Sequence, residues 1–528
     1  MVRYNFANLK GDIYGGLTAG IVALPLALAF GVASGLGAIA GLYGAIFLGF
    51  FASLFGGTKL QVSGPTGPMT VVMASVVVAL KGDLSAIIMV VVLSGLLQIV
   101  FGILKVGGFI KYIPYPVVSG FMTGIGVIII ILQINPAFGS PVKGSPLITI
   151  ANLGGTLSNI NIYALIIFLS TLAILYLTPK KVAKIIPTPL LSLLIITPIA
   201  AILNLDIQTI GAIPEGFPKL NMPKFDLHLV GVSFTFALSL AVLGAIDTLL
   251  TSLVVDSITR TKHDSNRELI GQGIGNMIAG LFGGIPGAGA TMRSVINVKT
   301  GGRTRLSGMI HAIFLLLVLL GFGKYASHIP MALLAGILIK VGVDIIDYKF
   351  LKLIKVAPKH DVVVMFIVFV LTVLVDLIVA VGVGLVLASM LLTYRMAKQF
   401  NVDIKTDMVD ENRSGIENGL RVVTIDGPFF FGSTTQVVER GNELLGTKVI
   451  LFDCCKVPFI DSSAVFALED MFLNLNDKGI KVIICAKENI VDMMKQLGLT
   501  NVIHEKHLFS NYDLAIEHAK KHLNEGQD

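Results

Sequence analysis

The sequence contains no tryptophan, and only 14% of its 528 residues are charged. Soluble domains carry about 25% charged residues, so the deficit excludes an ordinary soluble chain. An apolar excess matches it: 54% of residues are hydrophobic and the mean hydropathy is +0.84. Without tryptophan, an interfacial aromatic belt has to come from Tyr and Phe. Cysteine is almost missing as well. Cys454, Cys455 and Cys485 all fall in the last quarter, and an odd, clustered set excludes a disulfide framework and suits a cytosolic tail. Neither a Gly-x-x-x-x-Gly-Lys-Ser/Thr loop nor an Asp-Lys-Thr-Gly sequence occurs, which argues against ATP-driven pumping and leaves secondary transport. The expectation is a transporter and not an enzyme, with no catalytic residues and no cofactor.

What is present is a series of apolar stretches long enough to cross a hydrocarbon core of about 30 Å. They begin near residues 12, 37, 84, 117, 162, 186, 230, 268, 306, 328, 361 and 379. Two further segments, around Leu60 to Leu80 and Gly284 to Val298, are too short or too broken for ordinary spans. Counting both gives about 14 crossings. No small-residue cleavage pattern follows the basic N-terminus, so the first run is read as a span, not a removable signal. The net charge of +7 does not point to nucleic acid, because the basic residues lie between apolar runs and not on one face. With an even number of spans, twenty basic residues fall in inner loops against five in outer ones. This bias places both termini in the cytoplasm of a multi-pass cell-membrane protein. From residue 401 the pattern becomes that of a soluble α/β domain. Strands are expected at Leu420 to Ile425, Lys448 to Phe452 and Ile480 to Ala486, and helices at Thr434 to Leu445, Ser463 to Leu475, Ile490 to Leu497 and Tyr512 to Leu523. The domains are therefore 1–400 and 401–528.

The broken segments carry the functional signal. One reads Ser63-Gly64-Pro65-Thr66-Gly67-Pro68-Met69-Thr70, the other Gly284-Ile285-Pro286-Gly287-Ala288-Gly289-Ala290-Thr291-Met292, and each leads into a short helix. Each is the third crossing of a seven-span half, and because seven is odd the halves enter the membrane with opposite polarity. Paired interrupted helices in corresponding halves mark a transporter's central site. Gly and Pro leave an extended backbone before a helix whose first N–H groups have no intrahelical acceptor. Two such N-termini facing each other make a partly positive pocket without a full charge, which suits a small anion that must also leave.

Asp247 sits deep in the span Val230 to Val255, where an unpaired carboxylate costs a few kcal/mol. Thr251 is one turn away on the same face. Together with backbone carbonyls of the second broken segment they form a candidate cation site, with coupling to a cation or proton as the role. Arg293, in the first turn of the second half-helix, either adds its charge to the anion pocket or snorkels toward a cytoplasmic gate. Lys340 is read as snorkelling, Asp376 as a cap or hydrogen-bonding group at the outer interface, and Gln272 and Asn276 as interhelical glue.

The ordered motifs Gly41-Leu42-Tyr43, Leu54-Phe55-Gly56-Gly57, Ser63 to Pro68, Arg267-Glu268-Leu269, Gln272-Gly273, Gly275-Asn276, Gly280 to Pro286 and Gly301-Gly302-Arg303-Thr304 resemble the SulP (sulfate permease) family of anion transporters over essentially the whole chain. The resemblance implies two inverted seven-span repeats, a core domain moving against a gate domain, and a C-terminal STAS domain that forms homodimers. Within the family the chain is most similar to its sodium-dependent bicarbonate transporters. That likeness implies a sodium site at Asp247, Thr251, Gly289, Ala290 and Thr291, with sodium as the coupling ion. It places anion contacts at Thr66 and the second half-helix start, Ala290 and Thr291, to which the reading of the residues adds Gly67 and Arg293. Many members carry Pro-Gln in the first span, whereas here Pro25 is followed by Leu26, which weighs against sulfate. A phosphorylatable STAS loop matches Phe459 to Ala464, although a serine there is read first as a helix cap. The alternatives are a sulfate or dicarboxylate transporter, proton-coupled or exchanging, a passive anion channel, and a membrane sensor signalling through STAS.

Overall fold

The computed structural model describes residues 6–108, 113–141, 146–183, 186–211, 217–222, 230–375, 377–406, 419–440, 444 and 446–524, so Asp376 lies outside the described residues. The chain forms two compact units, Met1–Leu385 and Val386–Asp528.

The first unit is helical, and each expected segment falls on a helix. The longer helices are α1 (Leu9–Ala33), α2 (Ala38–Phe55), α3 (Gly67–Ala79), α4 (Leu84–Ile103), α5 (Tyr115–Leu132), α6 (Ile162–Leu177), α7 (Thr188–Ile202), α8 (Val230–Thr259), α9 (Ser265–Leu281), α10 (Thr291–Lys299), α11 (Arg305–Ala326), α12 (Met331–Ile345), α13 (Lys359–Leu374) and α14 (Leu377–Lys398), the last of which continues into the second unit. Among the described residues, six helices are long and apolar enough to cross a membrane. The ends follow local chemistry: Asp83 caps α4 by accepting from the Ser85 N–H at 2.9 Å, and Asp264 caps α9 by accepting from the Arg267 N–H at 3.1 Å.

Two packing groups emerge. In one, α9 packs on α4 and α2, α11 on α1 and α2, and α8 on α4; in the other, α5 packs on α12 and α13, and α6 on α7 and α12. Small residues let backbones approach closely, as membrane helix packing requires. A Cβ on Gly95 would lie 2.5 Å from the Gly273 carbonyl oxygen, and one on Gly126 would lie 2.5 Å from that of Gly342. Each group thus has its own glycine seam.

The second unit carries a five-stranded sheet, in spatial order β3 (Asn401–Thr406), β4 (Leu420–Asp426), β5 (Val449–Lys456), β6 (Lys481–Ala486) and β7 (Leu508–Phe509). The pair β3–β4 is antiparallel and the rest are parallel. Four helices accompany the strands: α15 (Thr434–Arg440), α16 (Ser462–Asn476), α17 (Glu488–Gln496) and α18 (Tyr512–Asn524). Phe429, Phe452 and Phe472 are fully buried in the core on one side of the sheet. The expected strands are all present. The edge strands β3 and β7 were not expected, the first because its Asn-Val-Asp-Ile-Lys-Thr sequence is half polar and the second because it is only two residues long. The serine cap expected at α16 is corrected: Asp461 caps, its Oδ1 accepting from the Ala464 N–H at 2.8 Å, while Ser462 and Ser463 are exposed in the first turn.

Candidate ion and anion site

The two broken segments meet. Ser63–Gly64 (β1) and Ala288–Gly289 (β2) pair antiparallel, so the chains entering α3 and α10 run in opposite directions, as two halves with an odd number of spans require. The Ala290 N–H donates to the Val62 carbonyl at 2.9 Å, and the Val62 N–H to Ser294 Oγ at 2.9 Å. A side chain could not fit at the crossing: a Cβ on Gly287 would lie 2.2 Å from the Gly64 carbonyl oxygen.

A belt of buried amides and one carboxylate holds this crossing in place. Asn276 accepts from the Gly287 N–H at 2.9 Å and donates to the Gly287 carbonyl and to Gln98. Gln272 donates to Ser63 Oγ at 2.5 Å and to Glu268 at 2.9 Å. Glu268 also accepts from the Thr58 N–H at 2.7 Å and from Gln61 at 2.8 Å. Gln272 and Asn276 are therefore glue, as expected, and what they fasten is the unwound backbone of the site. Buried in an apolar surrounding, unmade polar groups would be costly, which explains why so many pair here.

Both half-helices begin at the same cavity, of about 300 Å³, lined by Pro65, Thr66, Gly67 and Pro68 from one and by Gly289 to Arg293 from the other. The first bonds within the helices run from the Thr70 N–H to Thr66 at 3.0 Å and from the Ser294 N–H to Ala290 at 2.9 Å. The N–H groups of Gly67 and Met69, and of Thr291, Met292 and Arg293, therefore have no acceptor in their own helix. Pro68 contributes none, so the first half-helix offers fewer donors than the second. Thr66 Oγ1 is buried beside the Asp247 carboxylate at the cavity wall.

Arg293 does not snorkel. It is buried at 2% exposure and its Nη2 donates to the Pro65 carbonyl at 2.5 Å, tying the second half-helix to the first broken segment; Nη1 is buried without a partner.

The residues expected to hold a cation gather on the same cavity. Thr251 Oγ1 donates to the Gly289 carbonyl at 2.9 Å and lies 2.7 Å from Thr291 Oγ1. Asp247 lines the cavity, within electrostatic reach of Arg293, and its Oδ2 is buried without a partner. A carboxylate, two hydroxyls and a carbonyl make an all-oxygen donor set of the kind hard cations take. Ala290 adds little oxygen, because its carbonyl already accepts the Ser294 N–H and Ser294 Oγ at 2.8 Å. Its methyl instead borders the space between the helix ends.

Sequence reasoning missed a second row of side chains. Thr248 Oγ1 accepts from the Gly289 N–H at 3.0 Å, and Ser252 Oγ donates to Gln61 at 2.9 Å and lies 2.8 Å from Thr58 Oγ1. The signal was available: Thr248 and Ser252 repeat the four-residue spacing of Asp247 and Thr251, one position on. His311, fully buried in α11 beside Gly49, was also missed.

A wider cavity of about 430 Å³ adjoins the site, sharing Leu26, Met292, Val341 and Asp344 with it and opening among Pro187, Lys299, Thr300 and Lys340. Lys340 pairs with Asp344 and sits 5.3 Å from the centre of the Tyr176 ring, so it faces this vestibule. A separate small cavity of about 10 Å³ is bordered by Phe30, Val71, Ile129, Leu132 and Leu338.

Two half-helices starting at one cavity that an aspartate lines, in an apolar helical unit followed by an α/β unit, define a membrane transporter fold. The chain belongs to the sulfate permease family, which it matches over residues 9–368, with a STAS domain over residues 411–515. It is 42% identical to the bicarbonate transporter BicA of Synechocystis sp. (strain ATCC 27184 / PCC 6803 / Kazusa), over 98% of this chain and 95% of that protein. It is 33% identical to the putative sulfate transporter YvdB of Bacillus subtilis (strain 168), over 97% of this chain and 98% of that one. The solved transmembrane domain of a cyanobacterial bicarbonate transporter BicA superposes with a TM-score of 0.68 at 49% identity, covering 72% of this chain and 99% of that one. SLC26A9 shares the fold over 99% of this chain and 92% of its own, with a TM-score of 0.86 at 19% identity. The family resemblance carried by the sequence motifs holds.

Proposed function

We propose that the chain is a secondary transporter that takes up bicarbonate together with sodium. The carrying observation is that the two half-helix starts and the Asp247 carboxylate border one cavity. Partial positive charge from the helix ends and from Arg293 holds the anion, and Asp247, Thr251, Thr291 and the Gly289 carbonyl hold the cation. Each ion offsets the field the other meets, so occupancy by both is favoured over occupancy by one. Bicarbonate rather than another oxyanion rests on the BicA relatives, at 42% and 44% identity. In this reading the protein is in the cell membrane with both termini cytoplasmic, the vestibule opens inward, and STAS domains pair two copies. The group of α1–α4 with α8–α11 carries the ions as it moves against the group of α5–α7 with α12 and α13.

A second reading, sulfate transport, has the B. subtilis relative in its favour. Uptake of labelled bicarbonate and sulfate into proteoliposomes, with and without an inward sodium gradient, decides. Saturable, sodium-driven bicarbonate accumulation is the expected result. Sulfate accumulation in its place would select the second reading, and purely passive conductance would exclude both.

A further inference from the structure

We propose that the α/β unit carries a transition-metal site formed by His507, His518 and His522, suited to zinc. His507 ends the turn entering β7, and His518 and His522 stand one turn apart on α18, so two ligands share one helix face. Their ring nitrogens converge: His507 Nδ1 lies 3.0 Å from His518 Nε2, which lies 3.2 Å from His522 Nε2. All three ligand atoms fall within 4.8 Å of one another.

Hydrogen bonding among the rings does not account for this convergence. A neutral imidazole nitrogen is either a donor or an acceptor, with one in-plane direction for the bond. His518 Nε2 faces two nitrogens at once, and one proton or one lone pair satisfies only one of them. A shared cation satisfies all three. Nitrogen ligands at about 2.0–2.1 Å around a tetrahedral zinc stand about 3.3 Å apart, close to the 3.0 and 3.2 Å seen here. Imidazole sets suit zinc, nickel and copper ions, not magnesium or calcium. His507 is 5% exposed and the other two are part-buried, so the ion would have an anchored inner ligand and an open fourth position for water. It would bind the last helix to the edge strand β7.

The bland alternative is ring packing, since Phe509 also stacks against His518 with centroids 5.1 Å apart. Full-length protein in detergent, purified without a histidine tag and stripped by chelator, is titrated with Zn(II) against a chromophoric chelator and separately with Co(II). One Zn(II) per chain is expected, with Co(II) giving the visible spectrum of a four-coordinate site. His518→Ala and His522→Ala should each weaken binding by about a hundredfold or more, and Zn(II) should raise the melting temperature of the wild type but not of His522→Ala. His522 lies in the α/β unit, away from every residue of the ion cavity, so His522→Ala should keep anion uptake, and its far-UV circular dichroism without metal separates lost ligation from lost structure. Wild-type protein that takes up no ion, or variants that bind as the wild type does, would overturn the proposal.

Discussion

At the residue scale, the site separates charge from shape. Asp247 faces the cavity with one carboxylate oxygen unbonded, whereas Asp344 is paired with Lys340. Asp247→Asn keeps the shape and removes the charge that a cation needs. Sodium-dependent uptake should fall by about a hundredfold, in line with the loss from a damaged ion site, while expression and membrane insertion stay intact. Uptake at the wild-type rate in that variant would remove Asp247 from the mechanism. The anion side depends on backbone N–H groups, so it tolerates side-chain change that leaves space. Thr66→Ser retains a hydroxyl and should transport; Ala290→Leu fills the gap between the helix ends and should block. Arg293→Ala removes both a charge and the bond to the Pro65 carbonyl. Its half-saturating anion concentration should rise about tenfold or more, since a hydrogen bond to a charged group contributes about 1.5–3 kcal/mol. If Ala290→Leu transports normally while Arg293→Ala cannot bind, the site works by charge and not by helix ends.

At the element scale, the proposed function depends on two helices that start at one cavity, and the crossing of the chains that enter them tolerates no extra atom. Gly287→Ala would place a methyl 2.2 Å from the Gly64 carbonyl oxygen, on backbone that cannot move aside without breaking the β1–β2 pair. Overpacking of this kind costs about 1–3 kcal/mol. A lowered melting temperature in detergent and loss of transport are expected together, and wild-type values for both would show that the crossing is loose. Much of this was legible in advance. Gly/Pro-rich runs at matching places in two halves gave both half-helices, and Asp247 with Thr251 marked the polar helix face that meets them, because an intramembrane carboxylate is costly enough to stand out from its apolar neighbours. The fastening of the site was less visible. Gln61, Thr248, Ser252 and Ser294 are ordinary residues whose meaning comes from partners as many as 232 positions away, as for Ser294 with Val62. No local pattern reports such pairs. Glu268 appeared only inside a motif, although it takes bonds from Thr58, Gln61 and Gln272.

At the scale of the whole molecule, selectivity and assembly should be separable. Every residue placed at the ion and anion site lies in the unit ending at Leu385, and the transmembrane domain of the cyanobacterial relative stands as a solved structure of its own. The α/β unit has its own buried core, built from β3–β6 and the helices against them. Deleting residues 401–528 should therefore leave the anion preference unchanged, because no donor to the cavity is lost. What it removes, in the proposed reading, is the surface that pairs two copies. Light scattering in detergent should show the mass falling from two chains to one, while the ranking of competing anions in a bicarbonate-uptake assay stays as in the full chain. The maximal rate is free to change, since a unit that restrains the membrane helices alters how fast they move without altering what they bind. A truncated protein that folds but ranks sulfate above bicarbonate would show that the α/β unit shapes the site after all.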